Sequence, residues 1–528
     1  MSDTTVYVAS KVRTLDPQRP FAQALVVKGG KVVFVGERGA AIDSVGGAAR
    51  IVDLPGAVIV PGLVDAHAHL SSLGRSLSLV RLSDAKSAEE CVARMKAAGK
   101  ESWQGDWLMG RGWDQNDWAV KEFPTKALLD AAFPDTPVWL SRVDGHAAWV
   151  NSKALAAAGI DEKVKDPGGG RFMRDGKGQL TGVLIDNAMD VVAAKIPAAT
   201  QAQSQQRLKA ALEKCSSIGL TGVHDAGMDL DTFLLLQQWD LVGALPLRLY
   251  AMADGQGDQA KTYLERGPYK GRHLTMRAVK FLADGALGSR GAALKAPYAD
   301  DPGQSGLLMM SPEDLEGRAL AFADHGFQVA VHAIGDKANT VVIDLLTRLE
   351  ARTPGSRHRV EHAQILSGDD VPRFARAGII ASFQPTHATS DMPWAEARVG
   401  KERIRFAYAW RSVLDSGGRV AFGSDFPVED PEPLAGLYAA RTRQDQTGKP
   451  EGGWLPEQKV TGEEALRGFT TGAAYAEFAE ESRGLLKEGF DADFIALDVD
   501  PVDDAPKKLL GAKVLLTVSD GREVFRAK

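Results

Sequence analysis

The chain has 528 residues, 44% hydrophobic and 25% charged, with 63 Lys and Arg against 69 Asp and Glu for a net charge of −6. That is globular composition, long enough for a large core or several domains, with no basic surplus to draw nucleic acid or an anionic membrane surface. No apolar run reaches the roughly 20 residues of a membrane span, and two cysteines, Cys91 and Cys215, exclude a disulfide scaffold and a thiolate zinc site.

The first residues, MSDTTVYVAS, carry neither the charged n-region nor the apolar h-region of a secretory signal. The expected location is the cytoplasm, with a leader removed earlier as the alternative. The first sixty residues then read as strands and turns: TTVYVASKVRTLD, AQALVVKGGKVVFVGE and ARIVDLPGAVIV. Their valine-rich alternation and the Gly-Gly at 29–30 predict hairpins. The last forty residues, with DADFIALDVD and KVLLTVSDGREVFRA, have the same texture. Residues 1–57 and 480–528 are therefore expected to build one small β-sandwich domain from both termini.

Residues 58–479 read differently. Helical patterns alternate with short apolar strands, a rhythm that implies a parallel sheet. SPEDLEGRALAFADHG predicts a helix with Ser311 as N-cap, Pro312 in the first position, Asp314 reaching back and Gly326 at the stop. Eight segments read as strands: VIVPGLVDAH, LTGVHDA, PLRLYAMA, MRAVKFLAD, FQVAVHA, HRVEHAQ, IIASFQP and RVAFGSD. Eight is the number for a closed (β/α)8 TIM-like barrel of the α/β class. Residues 75–205, rich in Trp and Gly, are far too long for one connection and predict a subdomain inserted after the first barrel strand.

In such a barrel the catalytic residues sit at the carboxyl ends of several strands. The first strand ends in His67 and His69, which share a face because side chains alternate. The fourth carries Lys280, the fifth ends in His332, the sixth in His362 and the eighth in Asp425. Taken singly, each has an ordinary explanation. A strand-end histidine is more often a satisfied core residue, Lys280 would snorkel to the surface, and Asp425 would form a turn. Together and in this order they point to one site. Imidazole and carboxylate donors without thiolates suit a hydrolytic Zn²⁺ or a similar divalent ion.

The segments PGLVDAHAH, VKFLADGALGSR, VAVHAIGD, VEHAQ and GSDFPVEDP resemble the amidohydrolase superfamily. GRGWDQNDW and RVDGHAAWVNSKAL narrow the resemblance to its third amidohydrolase family, the YtcJ-like branch related to N-substituted formamide deformylase. The resemblance implies two zinc ions per chain. His67, His69 and Asp425 would hold the more buried one, and His332 and His362 the other. Lys280, carboxylated by CO₂ to a carbamate, would bridge them. It also implies hydrolysis of a non-peptide, N-acyl or N-formyl amide C–N bond through a metal-bridged hydroxide, with Asp425 moving the proton. A lactone or ester hydrolase could use the same site. A mononuclear heterocycle deaminase would lack the bridging lysine and would carry a glutamate beside His332, and a non-catalytic binding protein would have lost a ligand. The insertion departs from the branch in TGVLIDNA, where Asp186 stands in place of a glutamate. Substrate contacts are expected from Trp113, Asp114, Asp144 and His146 in the insertion, and from His224, Ser289 and Arg290 at the barrel mouth. His224 has a competing reading, as half of a structural pair with Asp225. The partner is a small amide-type molecule, and association with further copies of the chain stays open.

Overall fold

The computed structural model describes residues 4–46, 49–115, 118–143, 147–167 and 170–528. The chain divides into two compact units, Met1–Leu70 with Leu212–Lys528, and Ser71–Ala211.

The first unit contains a parallel barrel: β1 (Leu63–Ala68), β2 (Leu220–Met228), β3 (Arg248–Asp254), β4 (Leu274–Leu282), β5 (Gln328–Ala333), β6 (Arg359–His362), β7 (Ile380–Phe383) and β8 (Arg419–Phe422). Each strand pairs with the next in sequence. The register fixes the site in advance, because Lys280 lies opposite Ala330, His332 opposite Glu361 and Ala333 opposite His362. The crossover helix Pro312–Asp324 forms for the reasons its sequence suggests. Ser311 Oγ accepts the Asp314 amide at 3.1 Å, which satisfies one orphan donor and is worth about 1 kcal/mol. Leu315, Ala319, Phe322 and Ala323 make its buried stripe.

The last neighbours, β8 and β1, meet at their carboxyl ends. Asp425 N donates to His67 O at 2.7 Å and His69 N to Phe426 O at 2.9 Å. The Asp65 carboxylate accepts Ser424 N at 3.0 Å, Ser424 Oγ at 2.6 Å and His67 N at 3.2 Å. One buried side chain thus ties the seam.

The two chain ends form a seven-stranded sheet. It runs from Arg522–Arg526 through Val514–Ser519, Phe494–Leu497, Arg50–Pro61, Thr4–Arg13 and Phe21–Lys28 to Lys31–Gly36. Gly29 and Gly30, at φ 57° and 78°, make the hairpin turn that the sequence pattern predicts. Tyr7, Leu25, Val35, Ile59, Phe494 and Leu516 share a single core, so the sheet curls over on itself. The run VIVPGLVDAH is two strands rather than one. Val58–Pro61 pair with Phe494–Leu497 in the terminal sheet, and the barrel strand starts only at Leu63. The break is at Gly62, where a Cβ would lie 2.1 Å from Thr221 Oγ1.

The second unit has its own sheet and its own apolar core, in which Trp113, Trp149 and Leu140 are fully buried. Among the described residues no helix is long and apolar enough to cross a membrane.

Arg248 on β3 ties the barrel to the terminal sheet, with Nε 2.7 Å from Asp493 Oδ2 and Nη2 3.2 Å from both Asp491 Oδ2 and Asp520 Oδ1. Its guanidinium is nearly buried. Removing one partner of a buried ion pair leaves the other uncompensated at a cost of roughly 3–5 kcal/mol. Arg248→Ala is therefore expected to lower the thermal midpoint sharply, while Arg348→Ala, which breaks an exposed pair with Glu316, leaves it almost unchanged.

Candidate active site

Five of the eight strands send an imidazole, a carboxylate or an amine to one end of the barrel. His67 on β1 is fully buried. Its Nδ1 lies 2.5 Å from Glu361 Oε2, so Nδ1 carries the proton and Nε2 presents its lone pair inward. That Nε2 sits 3.2 Å from Lys280 Nζ and 3.6 Å from Asp425 Oδ1. His69 reaches the same Asp425 oxygen at 3.1 Å. His362 is oriented in the same way, with Nδ1 2.7 Å from Gln384 Oε1. Its ring is 4.5 Å from that of His332 and 4.7 Å from that of His67. His332 Nε2 is buried without a hydrogen-bond partner, 3.5 Å from Asp284 Oδ1. Asp284 is itself fixed by the amides of Ala293, Ile334 and Gly335.

Burial sets the protonation here. It lowers the His67 pKa to about 4 and that of His332 to about 3, helped in both by the Lys280 charge, and it holds His362 well below the ordinary imidazole value. All three are neutral at physiological pH and ready to act as donors. Burial also drives the Lys280 ammonium down. It opposes ionisation of Asp425, but the hydrogen bond from His69 and the surrounding imidazoles outweigh it, and that carboxyl stays well below its usual range. Burial pushes Asp65 up to about 7 in spite of its bonds to Ser424 and His67.

Among the described residues, two groups of donors converge closely enough to hold an ion, each with ligand atoms within 4.8 Å of one another: His67, His69 and Asp425, and His362, His387 and Asp425. His387 is on the helix Pro385–Asp391 after β7, and its ring stacks on His362 at 6.0 Å and 13°. The backbone is strained at two of these positions. His362 has φ 71° and Asp425 φ 61°, a region costly for a residue with a side chain and one that clusters at functional sites.

Below these donors the barrel core is charged. Glu361 is gripped by Arg359, whose Nε lies 2.7 Å from Oε1. Arg359 also donates to Ala66 O at 2.7 Å, Ser382 Oγ at 3.0 Å and His224 Nδ1 at 3.0 Å. His224 is therefore inside the barrel, not at its mouth, and it does not pair with Asp225. Asp225 instead accepts the Leu70 amide at 2.9 Å. Both support the site from below and behind, separately.

The remaining expected contacts divide. Trp113 is fully buried, with Nε1 donating to Leu140 O at 2.8 Å, so it is core of the second unit and has no surface for a ligand. Asp114 is ion-paired with Arg142 at 2.6 Å. Arg290 is bound through Nε and Nη2 to Asp300, at 3.1 and 3.0 Å, and Ser289 is exposed. Asp144 and His146 lie outside the described residues, as does the side chain of Asp186. Sequence reasoning gave no role to Glu361, Arg359, Gln384, Asp65 or His387. Glu361 and Asp65 had a signal, their places inside VEHAQ and PGLVDAHAH.

Neutral imidazoles collected at the open end of a parallel barrel suit the binding of a divalent ion beside a substrate, and the class of this protein is metal-dependent hydrolase. Residues 50–525 match the model of the Amidohydrolase family, and the chain belongs to that family. It is 35% identical to the YtcJ amidohydrolase of Bacillus subtilis, over 90% of each chain. It is 28% identical to the N-substituted formamide deformylase of Arthrobacter pascens, over 97% of each. A crystal structure of a metal-dependent hydrolase from Pyrococcus horikoshii superposes with a TM-score of 0.80 at 30% identity, covering 95% of this chain and 99% of that one.

Gly423, in the seam, offers a direct test of how tightly this end is built. A Cβ there would lie 2.5 Å from both Asp65 Oδ1 and the His67 amide nitrogen. Gly423→Ala is expected to cost about 1–3 kcal/mol of stability, read as a lower thermal midpoint. An unchanged midpoint would mean that the seam has slack.

Proposed function

We propose that the protein hydrolyses an N-acyl or N-formyl amide bond of a small molecule at a centre of two divalent ions. The observation that carries this reading is the pair of three-donor groups sharing Asp425. The donor set fits such ions. The His67, His332 and His362 imidazoles are neutral, the His332 and His387 Nε2 atoms are buried without hydrogen-bond partners, and no thiolate is present to select a softer metal. Bound there, the ions, zinc in this reading, would supply Lewis acidity, which lowers the pKa of water and polarises a carbonyl.

In this reading His67, His69 and Asp425 would hold one ion, and His332 and His362 the other. Lys280, as a carbamate, would serve both. Its Nζ adds to CO₂, forming a C–N bond and releasing one proton to solvent, and the product offers two anionic oxygens where a bare ammonium would be repelled. Glu361 keeps the proton on His67 Nδ1, and Gln384 does the same for His362, so both Nε2 atoms stay free. Asp425 accepts the proton of the attacking water and delivers it to the leaving nitrogen. The N-acyl and N-formyl preference is supported by the likeness to the formamide deformylase along the whole chain.

Two measurements test this. Elemental analysis of protein purified in bicarbonate should give about two ions per chain, with a clear loss in Lys280→Ala. About one ion in both would remove the bridging role and favour a mononuclear centre. Asp425→Asn should keep the circular dichroism spectrum while turnover of N-formyl and N-acyl amides falls by roughly 10²–10⁴. Turnover at the parent rate would rule out Asp425 as the proton carrier.

A further inference from the structure

β7, one of three barrel strands with no predicted ligand, is followed by a turn that reaches the centre twice. Gln384 follows the strand directly and accepts the proton of His362 Nδ1. Three residues later, on the first turn of the helix Pro385–Asp391, His387 lays its ring parallel to that of His362. Its Nε2 is buried, has no hydrogen-bond partner, and lies 3.8 Å from Asp425 Oδ2. The other oxygen of Asp425, Oδ1, faces His67 Nε2 at 3.6 Å and His69 Nε2 at 3.1 Å. A carboxylate with one oxygen toward each of two imidazole pairs is arranged as a divider between two ion positions. A buried imidazole nitrogen with no partner is costly unless something accepts its lone pair or its proton.

We infer that His387 is a further protein ligand of the second ion, beside His332 and His362, with Asp425 Oδ2 left to carry the proton. The inference deepens the two-ion reading and rests on it. Donation from Nε2 requires the neutral ring, and the position on a helix sets this imidazole apart from the strand-end ligands. The turn that carries it also carries Gln384, so movement of that turn would act on two donors of the same ion together.

The test uses full-length protein stripped with a chelator and titrated with Co²⁺ alone in bicarbonate buffer. Bound metal is counted by equilibrium dialysis, and coordination is followed by the visible d–d absorption. The parent should take up two ions. His387→Ala and the bulkier His387→Gln should keep the first and bind the second more weakly, by more than the roughly 10–100-fold that loss of an outer supporting partner produces. The absorption of the second ion should change as well. Glu396→Gln, exposed on the next helix, Ala395–Arg403, should match the parent. Two ions bound by both His387 variants with parent affinity and spectrum would overturn the assignment. A parent that takes up fewer than two ions would overturn the two-ion centre itself, and the failure would show before any variant is made.

Discussion

A guanidinium and a carboxylate lie in the middle of the barrel, with no water-exposed surface on either. Charges this deep are tolerable only when paired, and Arg359 and Glu361 pair with each other and recruit β1, β2 and β7. Ala66 O, Ser382 Oγ, His224 Nδ1 and His67 Nδ1 are all held by this one pair. The cost of burying the pair sets the tautomer of His67, since a proton placed anywhere but Nδ1 would leave Glu361 unsatisfied. An apolar barrel core would be easier to fold, but it could not fix an imidazole from beneath.

The same economy governs the seam. Asp65 closes β8 against β1, and its neighbours in the chain are the residues that the site needs in place. His67 lies two positions further along β1. On the other side of the seam, Asp425 follows Ser424 directly. Closing the barrel and aligning these side chains are therefore one structural event. The left-handed backbone at Asp425 belongs to this arrangement, because it turns the chain sharply enough for Asp425 N to meet His67 O while the side chain faces inward. Aspartate and histidine both tolerate that conformation better than most residues, so the turns at Asp425 and His362 fall where they cost least.

Much of this was legible because a barrel converts sequence position into spatial position. A residue at the carboxyl end of a strand is at the site, and HAH, the lysine of VKFLAD, VAVHA, VEHAQ and GSD needed no further information. Period-two alternation failed at Glu361 and His362. Adjacent strand residues should face opposite ways, yet both reach His67, because the positive φ values at His362 and Ala363 break the pleat. His387 was hidden because it lies four residues past its strand, on a helix, where the strand-end rule says nothing. The tryptophans of the insertion misled in another way. Composition cannot tell an aromatic that lines a pocket from one that fills a core, and Trp113 fills a core. Gly62 escaped notice because an unbroken apolar run conceals the point where a chain leaves one sheet for another.

The terminal sheet places a condition on how this chain is made. Arg50–Pro61 is complete only when Phe494–Leu497 has docked along it, more than 430 residues later in the sequence. During synthesis at about 5–20 residues per second, that strand waits through some tens of seconds with one row of amides and carbonyls unpaired. An open apolar edge of that kind is a template for pairing with other chains. A ribosome that stalls late, or a protease that trims the last forty residues, would therefore release a barrel with every donor of its site present and an N-terminal sheet left open to aggregation. The carboxyl-terminal strands carry no donor of the site, yet the N-terminal sheet keeps an open edge until they dock.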